Sequence, residues 1–277
     1  MKNKFKTNLI ALLAIPLISI SFVSCEDDDE DNIETKVITQ TIRDTIIGTA
    51  DLFQLNFNMK QKANGNDLIL NTSNKPYMNK MGQAFNVSKL RYLISDIALH
   101  KADGSCFTIN EYHLVDASDS TTFLFRPSTK VPEGDYTSIS LKFGFDKEDN
   151  ISNAYPDLTS AIWNWPPPLG GGYHFMQLEG KFDTSGVEGG FATHMGTARN
   201  NNVMPTTYED NHFIAKPMSS SISINSDTAF SIVMNVEQWY EEPYTWDFKN
   251  YNLMIMPNYD AQRKLNLNGP SVFTVEL

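Results

Sequence analysis

The sequence predicts an all-β fold: an antiparallel β-sandwich with short helices and long loops. Three observations carry that reading. Apolar and polar residues alternate with period two over many short stretches, clusters of turn-forming residues separate those stretches, and no long segment repeats its apolar residues at helical spacing. Successive side chains on a strand point to opposite faces, so period-two patterning is what a sheet with one buried face requires.

Along the chain the strand candidates are 52–59, 90–100, 106–115, 138–145, 174–182, 219–224, 230–236 and 272–277. Asn64-Gly65-Asn66-Asp67, Ala102-Asp103-Gly104 and Pro132-Glu133-Gly134-Asp135 supply turns between them. Many short strands at this spacing suggest a sandwich. Two short helices are predicted, over 157–163 just after Pro156 and over 259–264. The Gly/Pro-rich stretch 166–172 reads as a loop inside the domain, and no fixed-period repeat is present.

The N-terminus is organised differently. Met1-Lys2-Asn3-Lys4-Phe5-Lys6 is basic, and an apolar stretch broken by Pro16 follows, from Asn8 to Val23. A positive start before a short apolar core is the layout of a secretory signal, and the stretch is too short and broken to span a bilayer. It ends in Ser21-Phe22-Val23-Ser24-Cys25, which resembles a lipobox, so residues 1–24 are expected to be a lipoprotein signal peptide and Cys25 the acylated residue of the mature chain. Buried acyl chains contribute roughly 0.8 kcal/mol per CH2, so a multiply acylated cysteine is a lasting anchor. Glu26-Asp27-Asp28-Asp29-Glu30-Asp31 is an acidic run that stays solvated. It reads as a spacer lifting the domain off the membrane or as an address resembling the surface-export signals of some Gram-negative lineages. Residues 25–50 are thus a tether and linker, 51–277 the folded domain, and the expected location is the outer membrane, facing the periplasm or the cell surface.

Composition narrows the partners. The formal net charge is −11, and it becomes −14 when Lys2, Lys4 and Lys6 leave with the signal. Nucleic acid and anionic lipid surfaces are recognised by basic patches, so this balance excludes both as partners and favours cations. Of the two cysteines, assigning Cys25 to lipid leaves Cys106 without a partner and excludes a disulfide framework.

Most of the chemistry lies in residues 163–196. Trp163-Asn164-Trp165 precedes Gly172-Tyr173-His174-Phe175-Met176-Gln177-Leu178-Glu179-Gly180, and Phe191-Ala192-Thr193-His194-Met195-Gly196 follows. On a strand over 174–182, His174, Met176 and Leu178 would share one face. A His-x-Met pair with a second His-Met at His194-Met195 makes a candidate soft-metal site, because imidazole suits several transition metals and a thioether selects Cu(I). Read alone, methionines on strands are most often core and single histidines most often satisfied polar residues.

A family resemblance adds to this. Arg91-Tyr92-Leu93-Ile94-Ser95-Asp96-Ile97-Ala98-Leu99, Asp103-Gly104, Tyr112-His113-Leu114-Val115-Asp116, Gly134-Asp135-Tyr136 and Phe143-Gly144-Phe145-Asp146 resemble the MbnP-like family of exported copper-binding proteins. So do the three strings around 163–196, together with Pro257-Asn258-Tyr259-Asp260-Ala261 and Val272-Phe273. The likeness spans about residues 50–277 and implies a β-sandwich that binds copper outside the cytoplasm, without turnover of its own. In related copper proteins the ligands are histidines and a tryptophan oxidised to kynurenine by a dihaem enzyme resembling a cytochrome c peroxidase. Carried over, His174 and His194 are the ligands, Met176 or Met195 a soft ligand that would favour Cu(I), and Trp163 or Trp165 the oxidised residue. The chain departs from the pattern at Pro166-Pro167-Pro168-Leu169-Gly170-Gly171, an insertion expected to move the tryptophans away from the histidines.

Other residues have plainer readings. His100 and His113 fall on predicted strands and read as structural, and His212 after Glu209-Asp210-Asn211 is a candidate third ligand. Glu179 precedes Gly180 and suits a hydrogen-bonding corner. Trp239, Tyr240, Tyr244 and Trp246 would form core if buried; exposed, they would make a surface module that stacks on a carbohydrate or a partner protein. No Gly-rich phosphate loop, nucleophile elbow or zinc-protease helix occurs.

The N-terminal reading has a direct test. Changing Cys25 to Ala should release the protein from membranes or leave the signal uncleaved; a normally processed, membrane-bound variant on fractionation and blotting would end the lipoprotein reading.

Overall fold

The structure is a computed structural model that describes residues 50–218 and 221–276. The signal peptide, Cys25 and the acidic run lie outside the described residues.

Two packed sheets make the domain an antiparallel β-sandwich. We label its longer strands β1 (Leu55–Ala63), β2 (Lys89–His100), β3 (Cys106–Asp116), β4 (Ser138–Phe143), β5 (Met176–Thr184), β6 (Val187–Met195), β7 (Phe213–Met218), β8 (Thr228–Asn235) and β9 (Phe273–Glu276). The larger sheet is organised around β2. β3 pairs along one edge of β2, while the other edge is shared, β5 taking the first half and β4 the second. β6 extends the sheet beyond β5, and β7 beyond β4. The smaller sheet runs β9–β8–β1, and its β8–β1 pair is parallel; apart from the isolated Leu70–Val87 bridge, the other described pairings are antiparallel.

Alternation sorts the side chains as the sequence requires. On β1, Leu55, Phe57, Met59 and Ala63 are buried while Asn58 and Lys60 are exposed. The sheets meet through aromatic contacts: Phe273 of the smaller sheet packs against Tyr92 and Phe143 of the larger, with ring centroids 6.2 and 5.7 Å apart. Burying rings of this size is the main apolar contribution to such a core.

Several boundaries differ from expectation, each for a local reason. Strand β6 was not anticipated, because Gly189-Gly190 and the turn at 185–186 hide its alternation. The strand expected at 174 begins at Met176, since the chain bends at Phe175. The first helix, α1 (Pro156–Ser160), stops short of Trp163, and Ile162 takes the left-handed region with φ 56°. The second, α2 (Tyr259–Asn268), runs longer than predicted, with the Asn258 side chain capping its start. Cys106 is not a free cysteine, which corrects the expectation of a cysteine without a partner; that expectation rested on committing Cys25, outside the described residues, to lipid.

Candidate metal centre

Register decides which side chains meet. On the larger sheet Asp116 of β3, Arg91 of β2, Gln177 of β5 and His194 of β6 stand opposite one another in a row. The next row is Val115, Tyr92, Met176 and Met195. Neighbouring rows face opposite sides of a sheet. Tyr92 faces the smaller sheet, so Met176 and Met195 do too, and both are fully buried in the apolar core. His194, Gln177 and Arg91 therefore lie on the outer face. The methionines expected as soft ligands are turned away from His194.

A hairpin covers that outer face. Residues 163–165 and 172–174 form its two arms: His174 N–H donates to Trp163 O at 2.8 Å, Trp165 N–H to Gly172 O at 2.9 Å, and Asn164 bridges Tyr173. Pro166–Gly171 is only the loop of this hairpin, closed by Leu169 N–H on Pro166 O. The insertion expected to separate the indoles from the histidines is thus looped out, and the two arms are tied at their base. Trp163 and Trp165 flank His174 with ring centroids at 5.5 and 4.9 Å.

The bend at Phe175 brings the two histidines together. Phe175 N–H donates to Met195 O at 2.7 Å, and Phe175 O accepts from Leu93 N–H. Alternation breaks there, so His174 comes to the side of His194 instead of sharing a face with Met176. The two imidazole centroids are 5.4 Å apart and nearly perpendicular, at 82°. Two glycines leave the room this needs. A Cβ on Gly144, where φ is +82°, would lie 2.4 Å from the Phe175 ring, and one on Gly196 would lie 2.6 Å from Trp165.

Burial and charge set the chemistry. His174 is 6 % exposed, and its Nδ1 is buried without a hydrogen-bond partner, as are Trp163 Nε1 and Gln177 Oε1. Buried polar atoms without partners are uncommon, and a cluster of them points to a missing group. Burial, and then the nearby His194, Lys89 and Arg91, push the His174 pKa down to about 3. His194 is also lowered by burial, against the pull of its hydrogen bond with Glu179. Both rings are therefore neutral at physiological pH. Burial raises Glu179, but the His194 hydrogen bond and Lys89 outweigh it and hold the carboxyl below its ordinary value. Arg91 stacks over Trp163 at 4.8 Å, and its Nε lies 3.1 Å from Asp116.

The other candidates are engaged elsewhere. His100 Nε2 is 2.7 Å from Ser140 Oγ, and His113 Nε2 is 2.7 Å from the Thr122 carbonyl with its ring stacked on Phe125. His212 sits 2.8 Å from Asp210. Trp239, Tyr240 and Trp246 are fully buried, leaving only Tyr244 of that cluster exposed, so the aromatics offer no stacking surface for a carbohydrate or partner. The sequence did not point to Asp96, Asp146 and Asp149, whose carboxylates lie within 4.8 Å of one another. Lys142 bridges Asp96 and Asp146, so the group is an ion-pair network with its own cation. Gln177 and Arg91 were missed as site residues too, because only the pairing register across three strands, which alternation within one strand does not reveal, sets them beside His194.

Paired neutral imidazoles on the outer face of a β-sandwich, under a tryptophan hairpin, have the donor chemistry of a transition-metal site. The chain belongs to the MbnP family, whose model matches residues 53–257. It is similar in fold to a solved structure, MbnP from Methylosinus trichosporium, at 13 % identity and a TM-score of 0.50, covering 81 % of this chain and 98 % of that one. No curated protein matches the chain by sequence.

The low pKa of His174 makes stability depend on pH. An unfolded histidine takes up a proton near pH 6.5 and the folded one only near 3, so the unfolded state binds more protons between these values. Stability is complete above pH 6.5 and is lost as the pH falls, by about 2 kcal/mol at pH 5. For a domain of this size that is roughly 4–8 °C in melting temperature. Calorimetry of metal-free protein should show this drop, and His174→Phe should flatten it; an equal drop in both would mean that His174 is not protected.

Proposed function

We propose that this protein is a membrane-anchored, exported copper-binding lipoprotein that captures or delivers copper without catalysing turnover, and that His174 and His194 hold the metal. One observation carries the reading: a buried, neutral His174 with an unpartnered ring nitrogen converges on a second neutral histidine. The residues fit the metal. Two imidazoles bound through nitrogens at about 2.0–2.1 Å place their centroids roughly 4.5–6 Å apart, depending on the bend between them. The observed 5.4 Å lies in that range. Copper would be held by imidazole, a ligand it accepts in both oxidation states.

Charge favours Cu(I) where methionine does not. Arg91 is paired with Asp116, and Lys89 with Glu179, so no carboxylate is left over to neutralise a divalent ion. Desolvation cost rises with the square of the charge, which makes the monovalent ion the cheaper one to bury.

Purified domain should bind one Cu(I) in competition with a colorimetric chelator. His174→Ala and His194→Ala should each weaken binding at least a hundredfold, while His113→Ala and the core change Met195→Leu should leave it within a few fold. Equal affinity in all four variants would sink the site.

Kynurenine formation is part of the same proposal, with Trp163 as its residue. Its indole nitrogen, the atom that becomes the aryl amine when the ring is opened, is buried and unpartnered, whereas Trp165 Nε1 donates to Leu169 O. The oxidant must come from outside, as a dihaem peroxidase-like partner would provide. Anchoring through Cys25 remains the companion proposal, and a thioether lipid excludes any disulfide at that sulfur, so the mass of the N-terminal peptide tells the two states apart. Peptide mass spectrometry over 157–181 should find Trp163 oxidised in protein from its native host and intact in protein made without the partner. Two intact tryptophans in native copper-loaded protein would leave a site of histidines alone.

A further inference from the structure

We propose that Glu179 selects the ring nitrogen through which His194 binds metal, by occupying Nε2 and leaving the lone pair on Nδ1. This rests on the reading of His194 as a ligand and adds the residue that positions it.

The argument begins with register. Gln177 stands directly opposite His194, and Glu179 is two residues further along the same strand and face. That diagonal is within reach of long side chains. Glu179 Oε1 lies 2.9 Å from His194 Nε2. An ionised carboxylate only accepts hydrogen bonds, so the proton in this contact belongs to Nε2. A neutral imidazole carries one N–H and one lone pair, and the lone pair of His194 is thereby assigned to Nδ1. Nδ1 has no hydrogen-bond partner among the described residues, and the other imidazole, His174, is the ring that His194 packs against.

The carboxylate is itself held. Lys89 stands opposite Glu179 on β2, and its Nζ is 3.2 Å from the same Oε1. An ammonium there keeps Glu179 ionised and aimed across the strand, so the chain Lys89–Glu179–His194 runs over three neighbouring strands. Carboxylates that orient ligating histidines typically change metal affinity by about 10–100-fold when removed. Among the described residues His174 has no such partner, so the two histidines differ in design: one is oriented by a carboxylate, the other by the tied hairpin that carries it.

Long-range proton–nitrogen NMR of metal-free, histidine-labelled protein reads the tautomer directly. Wild-type His194 should be in the Nε2–H form. Glu179→Ala should shift it to a mixture of tautomers and weaken Cu(I) binding by about 10–100-fold, while Glu179→Gln, which retains an acceptor oxygen, should keep both properties near wild type. An Nδ1–H tautomer in wild type, or an unchanged tautomer in Glu179→Ala, overturns the positioning role whatever copper does. A shifted tautomer with unchanged Cu(I) affinity overturns Nδ1 as the metal-binding atom. If wild type binds no Cu(I) while the tautomers behave as expected, the copper reading falls and the positioning stands. Should Glu179→Ala fail to fold, the wild-type tautomer and the Gln variant carry the test.

Discussion

The site depends on one strand register, Met176 opposite Met195. Because the side-chain period is two, a slip of one residue would exchange the faces, sending His194 into the sandwich core and a methionine to the surface. The register is held by what it buries. Tyr92, Met176 and Met195 fill the core side, and a histidine in their place would lose its hydrogen bond to Glu179 in apolar surroundings. The methionines thus contribute to the site by anchoring the face opposite to it.

The second constraint is the roof. A sheet's outer face is normally wet, and a histidine there would keep an ordinary pKa. Here the hairpin over 163–174 removes the water. It is fixed to the sheet at both arms: Arg91 donates to Ala161 O and stacks on Trp163, while Trp165 packs against Gly196 at the end of β6. Tyr173, in the hairpin's second arm, accepts Tyr155 N–H on its hydroxyl and donates its own N–H to Asn150 Oδ1, which ties the roof to the loop before α1. Together these contacts account for the low exposure of His174 and its depressed pKa.

Much of this was legible in the sequence and some was not. Alternation marked out the sandwich, the strings Gly172–Gly180 and Phe191–Gly196 named both histidines, and Trp163-Asn164-Trp165 named both tryptophans. The faces were not legible. Extending period two back from Met176 put His174 with the methionines, because nothing in Tyr173-His174-Phe175 signals the bend; the bend depends on Gly144, distant in sequence, making room for the Phe175 ring. The proline run misled for a related reason. Composition shows that a segment is inserted, while whether it sits in a hairpin loop or between the residues that matter depends on the hydrogen bonds at its base. Strand β6 escaped notice because Gly189 and Gly190 stand where side chains would mark the alternation, and a Cβ on Gly189 would lie 2.7 Å from the ring of Phe182.

Charge links the roof to the choice of ion. Lys89 and Arg91 lie on the same face as the histidines, an odd place for cations if the face is to receive another. Each is paired with a carboxylate, Lys89 with Glu179 and Arg91 with Asp116, so the surroundings are close to neutral overall. Burial is the main reason both imidazole pKa values are low; Lys89 lowers both further and Arg91 lowers that of His174, which helps keep the lone pairs unprotonated. The field of these two cations also opposes a metal cation, and opposes a divalent one twice as strongly. With the methionines on the far side of the sheet, selectivity for Cu(I) would then arise from electrostatics around two nitrogen donors and not from sulfur. The cost of burying positive charge would be met by imidazole coordination, and the ion pairs on the face would set how much charge can be accepted.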